Sequence, residues 1–110
     1  MDEACPYCRE EVGAWARIVA TRGAASGPTV IVSAASVDAA RTAFPDLDRL
    51  SWYRDADGSI ARALGVTAVP FQAVTDGAGT VVRVALGRTS EAQRRRIERL
   101  LYETPKRRKP

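Results

Sequence analysis

The only two cysteines of the chain stand three residues apart in "CPYC", residues 5–8, and the pattern behind them restricts how this stretch can fold. Val12, Trp15, Ala16 and Val19 follow Cys8 at helical spacing, so one amphipathic helix is expected to about residue 22. Proline suits the first helical position, where the N–H it lacks would be unpaired anyway. With Pro6 there, Cys5 lies at or just before the helix start and Cys8 one turn later, on the same side and within disulfide reach. Unpaired N–H groups and the positive dipole end would then stabilise a thiolate on Cys5. Thiols in such motifs often ionise at pKa values of roughly 3.5–7.5. Cys5 is the expected nucleophile, and Cys8 the thiol that resolves the mixed disulfide. Nearby charges oppose each other: Glu3, Glu10 and Glu11 disfavour the anion, and Arg9 favours it. A structural disulfide or two inert buried thiols is the alternative, against which the tight spacing and internal proline weigh.

Composition narrows the chemistry further. A length of 110 residues with 45% apolar content fits one globular domain. No apolar run approaches the about 18 residues that a membrane-spanning helix needs, and no cleavable leader is visible. The chain has no histidine, which excludes Ser-His-Asp and Cys-His nucleophile systems and imidazole metal sites. Two cysteines cannot close a four-thiolate zinc site, so no metal or other cofactor is expected. The net charge of +4 is that of Lys106, Arg107, Arg108 and Lys109, because thirteen arginines balance thirteen acids in the rest of the chain. Residues 1–104 are read as the domain and 105–110 as a solvated basic tail. Binding of nucleic acid or an anionic membrane surface by that tail is the alternative; four charges without interleaved aromatics speak against it.

The remaining elements alternate. "RGAASGP" ends the first helix, and "TVIVSA" (residues 29–34) is a β-branched run typical of a strand buried on both faces. Ser36 can cap a helix carrying Val37, Ala40 and Phe44 that stops before Pro45. "LSWY" (residues 50–53) is a short strand candidate. Asp55 or Asp57 can cap a helix through Ile60 and Leu64, closed by Gly65. "FQAVT" and "TVVRVAL" flank "DGAG" as a hairpin. Ser90 and Gln93 form a capping box ahead of a helix through Ile97, Leu100 and Leu101. Arg94, Arg95, Arg96 and Arg99 on that helix are read as a solvated face.

This order resembles thioredoxin-like redoxins, most closely bacterial thiol–disulfide reductases of the cytochrome c maturation type. The resemblance is carried by "CPYCREEVGAWARI" (residues 5–18) and "DADGSIARALGVTAVPFQAVTDGAGTVVRVALG" (residues 55–87), and spans about residues 5–103. It implies an α/β fold with a central mixed sheet flanked by helices, and a thiol–disulfide oxidoreductase acting through Cys5 and Cys8. Gly65, Val66, Val69 and Pro70 match the family's Gly-Val-x-x-x-Pro segment, whose proline is cis and faces the cysteines. Val69 matches the position whose backbone pairs with a substrate strand, and Pro6 and Tyr7 fall on the same substrate-facing surface. On the residues alone, Pro70 could equally begin a strand in trans. The implied partners are protein disulfides or dithiols and a redox partner, met by a monomer, with no nucleic acid. Pro-Tyr is also the glutaredoxin dipeptide and suggests a potential inside the range of roughly −270 to −120 mV. Reductase or exchange activity is expected, and no peroxidase motif is present. A degenerate redoxin domain that binds extended peptides without turnover is the other reading.

One departure stands out. In the family a buried strand runs directly into the Cys-x-x-Cys, whereas only "MDEA" precedes Cys5 here. Four residues with two acids cannot form that strand, so "TVIVSA" and "FQAVT" should each lack a neighbour. The chain is expected to be a fragment of a longer protein and poorly stable by itself; a short variant, or one whose partner supplies the strand, is the alternative. A periplasmic or membrane-tethered full-length form is favoured over a cytoplasmic one.

Overall fold

The computed structural model describes residues 1–2, 4–23 and 27–102; the expected basic tail lies outside them. Helix α1 (Pro6–Arg22) is followed by β1 (Thr29–Val32), α2 (Val37–Ala43), a 3₁₀ turn (Leu47–Arg49), β2 (Ser51–Arg54), α3 (Ser59–Leu64), β3 (Phe71–Thr75), β4 (Val81–Leu86) and α4 (Glu91–Tyr102). Every expected helix and strand is present, with ends shifted by a few residues. The 3₁₀ turn was not foreseen. It seats Leu47 at the centre of the core beside the fully buried Phe44, which a Pro-Asp loop pattern does not announce.

The apolar stripe of α1 is the organising surface. Val12, Trp15, Ala16 and Val19 are all buried, in one cluster with Val30 and Val32 of β1, Val74 of β3 and Ile97 of α4. Burial of a large apolar side chain stabilises by about 1.5–3 kcal/mol, so this cluster outweighs the local propensities of the short elements. The caps form where the side-chain chemistry puts them. The Ser36 hydroxyl accepts the Ala39 N–H at 3.0 Å. Ser90 and Gln93 cap reciprocally at 2.8 and 3.1 Å. At α3 both aspartates act: Asp57 accepts the Ser59 N–H, and Asp55 accepts those of Ile60 and Ala61. The residue between them and the helix is Gly58, at φ 74°, a left-handed turn that a side chain would strain.

The β-structure is in two pieces. β1 pairs with β2 in parallel, Thr29 beside Ser51 through Val32 beside Arg54. β3 pairs with β4 in antiparallel, Phe71 opposite Leu86, with an irregularity at Val74/Thr75. Each is a two-stranded sheet, and among the described residues no strand pairs β1 with β3. Asp2 forms a parallel bridge with Ser33, just past β1. Among the described residues no helix is long and apolar enough to cross a membrane.

Candidate active site

Cys5 is the N-cap of α1 in extended backbone (φ −102°, ψ 107°), with Pro6 opening the helix. Its Sγ accepts the Cys8 backbone N–H at 3.1 Å, an amide that the helix start leaves without a carbonyl partner. Two further bonds hold this tip. The Cys5 N–H donates to the Asp2 carbonyl at 3.1 Å, and Arg9 Nε donates to the Ala43 carbonyl at the end of α2 at 2.8 Å.

The two sulfurs occupy different surroundings. Cys5 is half-buried; Cys8 is fully buried, and both are free thiols. Burial pushes the Cys8 thiol up to about 12, helped by its hydrogen bond with Cys5. At about pH 8 a thiol of that kind is ionised to roughly one part in ten thousand. Iodoacetamide should therefore label the reduced protein once, on Cys5, at that pH, with Cys8 labelled only after unfolding; peptide mapping by mass spectrometry checks the assignment, and equal labelling would contradict it. The same shift has a stability consequence. Keeping Cys8 neutral stabilises the fold below its ordinary value of 9.0, and this contribution disappears as pH rises through about 12.

The segment of Val69 and Pro70 is connected to the helix tip through a chain of contacts. The Val69–Pro70 bond is cis and Pro70 is fully buried. The Pro70 carbonyl accepts the Gly87 N–H at 2.8 Å. The next residue, Arg88, lies over the Tyr7 ring, 5.5 Å from its centroid, and its Nε is 3.3 Å from Glu10 Oε2. The proline segment and the Cys-Pro-Tyr-Cys turn are thus linked by Gly87 and Arg88. Val69 and Cys5 both pack against the buried cluster that contains Cys8. Pro6 and Tyr7 are exposed.

Sequence reasoning missed the polar cluster behind this tip. In the sequence Glu11 is only one of the charges near Cys5, yet it is 1% exposed. Its Oε1 accepts from Gln72 Nε2 at 2.5 Å and from the Thr89 hydroxyl at 2.6 Å, and its Oε2 is 3.6 Å from Arg94. Arg94 also donates to the Thr89 carbonyl at 3.2 Å. It therefore leaves the solvated arginine face expected for α4, on which Arg95, Arg96 and Arg99 remain. The available signal was spacing: Glu11 is three residues after Cys8 and four before Trp15, on the buried stripe itself.

No family profile and no curated protein sequence matches the chain. Among solved structures it is similar to a Chlorobium tepidum protein assigned as thiol:disulfide interchange protein DsbE, with a TM-score of 0.75 and 21% identity over 91% of this chain and 74% of that one. The fold is thioredoxin-like, the class expected from residues 5–18 and 55–87.

Proposed function

We propose that the chain is a thiol–disulfide oxidoreductase that passes a reversible Cys5–Cys8 disulfide to and from protein substrates. The observation that carries this reading is the asymmetry of the pair: a half-buried sulfur at a helix start receiving an amide N–H, and a fully buried thiol one turn behind it. In the reducing direction the Cys5 thiolate attacks a substrate disulfide. One substrate sulfur leaves as a thiolate and takes a proton, and Cys5 is held in a mixed disulfide. Cys8 then loses its proton and attacks the Cys5 sulfur, releasing the second substrate thiolate. The substrate gains two electrons and the pair is oxidised; the reverse sequence oxidises a dithiol. The Cys8 N–H faces the sulfur that bears negative charge before attack and on departure.

Burial of Cys8 gives the steps their order. A thiol held neutral does not compete with Cys5 for the substrate, and acts only on the sulfur beside it. An extended substrate would align along the backbone of Val69, with Tyr7 and Pro6 forming the adjoining surface. The interchange assignment of the structurally similar protein supports the same chemistry.

The test is a trap. Cys8→Ser should accumulate a covalent adduct between Cys5 and a disulfide-bearing substrate protein, visible on a non-reducing gel and lost with dithiothreitol. Wild type should show none at steady state. Absence of any Cys5-linked adduct across several disulfide substrates would leave a binding domain without turnover as the better reading.

A further inference from the structure

Beside the cysteine tip an open groove of about 900 Å³ runs between α1 and the start of α4, within the common range for ligand sites of about 300–1,000 Å³. Pro6 and Glu10 mark its end at the tip. Arg9, Gly13 and Arg17, spaced by four residues, lay one stripe of α1 along its floor. Asp46, just past α2, stands on one side, and Thr89, Glu91 and Arg94 stand on the other.

The charges of this groove are unequally matched. The three acids just named as lining it all have arginine partners: Glu10 lies 3.3 Å from Arg88, Asp46 lies 3.9 Å from Arg49, and Glu91 meets Arg95. Arg94 is held by the buried Glu11. Arg9 and Arg17 remain, both exposed. Among the described residues Arg9 makes one side-chain bond, from Nε to the Ala43 carbonyl, and the Arg17 guanidinium makes none. Gly13 lies midway between the two. A Cβ there would sit 3.7 Å from both Arg17 Nη1 and Asp46 Oδ2, an ordinary contact distance. The fold therefore has room for alanine, although glycine is a weak residue for a helix interior. What glycine does supply is a low floor between two unpaired cations.

Charge and length select the occupant. Arg9 and Arg17 are eight residues apart, about 12 Å along the helix, so a small anion meets one of them at a time. An extended polypeptide meets both, and the absence of a side chain at Gly13 lets its backbone lie close to α1. Measured from Cys5, the two arginines lie about 6 and 18 Å along the axis, which about two and about six extended residues cover.

We propose that this groove receives the flank of the polypeptide whose disulfide Cys5 attacks, and that Arg9 and Arg17 select acidic side chains about two and about six residues from the attacked cysteine. That this polypeptide is a disulfide substrate rests on the exchange reaction proposed above; attraction of an acidic segment to the groove does not.

Two short peptides provide the test. Each has a central cysteine and, two and six residues to either side, aspartate in one peptide and lysine in the other. Either chain direction can then present the charges to the arginines. As disulfide dimers the peptides are substrates; with serine in place of cysteine they are ligands without chemistry. At low salt the aspartate dimer should have a kcat/KM about tenfold higher than the lysine dimer, through KM. Its serine form should bind about tenfold more tightly in an NMR titration, with amide shifts along residues 9–17. Arg17→Glu should bring both ratios to about one. Gly13→Gln should raise the thermal midpoint by about 3–5 °C, because glutamine is the better helix former, and yet weaken binding of the aspartate ligand about fivefold. A purely structural position would not combine a gain in stability with a loss of binding. Equal binding of the two serine ligands, unchanged ratios in Arg17→Glu, or full binding to Gly13→Gln would overturn the proposal. Selective binding of the aspartate ligand without turnover of either dimer would uphold the acidic specificity of the groove and remove the exchange reaction instead.

Discussion

Replacing Cys5 by serine reduces turnover in a dithiol–disulfide exchange assay by at least about a thousandfold, to the uncatalysed rate. A serine hydroxyl is not ionised near neutral pH and forms no disulfide, so neither attack nor mixed disulfide is possible. The substitution is mild for the fold. Cys5 caps α1 through a side-chain acceptor for the Cys8 N–H, and serine is among the best residues for that position. Circular dichroism and the urea midpoint should therefore stay near wild type while activity disappears. That separation assigns the loss to chemistry instead of to folding. Retention of more than about a tenth of the activity would remove Cys5 from the role given to it.

Replacing Glu11 by alanine lowers stability by roughly 2–4 kcal/mol, read as a fall in the urea midpoint at constant slope. Three partners lose their acceptor together: the Gln72 amide, the Thr89 hydroxyl and the Arg94 guanidinium. Arg94 is about a quarter exposed and can still reach water, which keeps the cost below that of a sealed ion pair. Glu11→Gln retains the size and one acceptor oxygen, so its loss should be about half as large. The two variants together separate the hydrogen bonds from the charge. A change below about 0.5 kcal/mol for the alanine variant would show that this cluster does not hold α1, β3 and the start of α4 together. Because Cys8 shares its helix face with Glu11, the same variant also tests how firmly the cysteine turn is supported from behind.

Much of the molecule is legible in the chain because its signals are local. Pro6 after Cys5, the stripe of Val12, Trp15, Ala16 and Val19, the Ser90–Gln93 box and the Asp-Gly hairpin each act over four residues or fewer. Physics at that range depends little on what lies elsewhere. The 3₁₀ turn over Leu47–Arg49 is different, since it exists to place Leu47 in a core assembled from distant elements. Arg94 shows the same limit. On its own helix it is one of four similar arginines, and only the position of Glu11, across the fold, distinguishes it from Arg95.

The sequence alone determined the order of helices and strands, and the placement of Cys5 at a helix start with Cys8 one turn behind it. These follow from spacing, capping chemistry and backbone propensity, which need no distant contact. Tertiary structure decided the rest: that Cys8 is sealed from solvent, that Arg88 ties the proline segment to Tyr7, and that Glu11 gathers Gln72, Thr89 and Arg94. Each of these depends on groups far apart in the chain coming together, and packing across elements, not local preference, fixes that geometry.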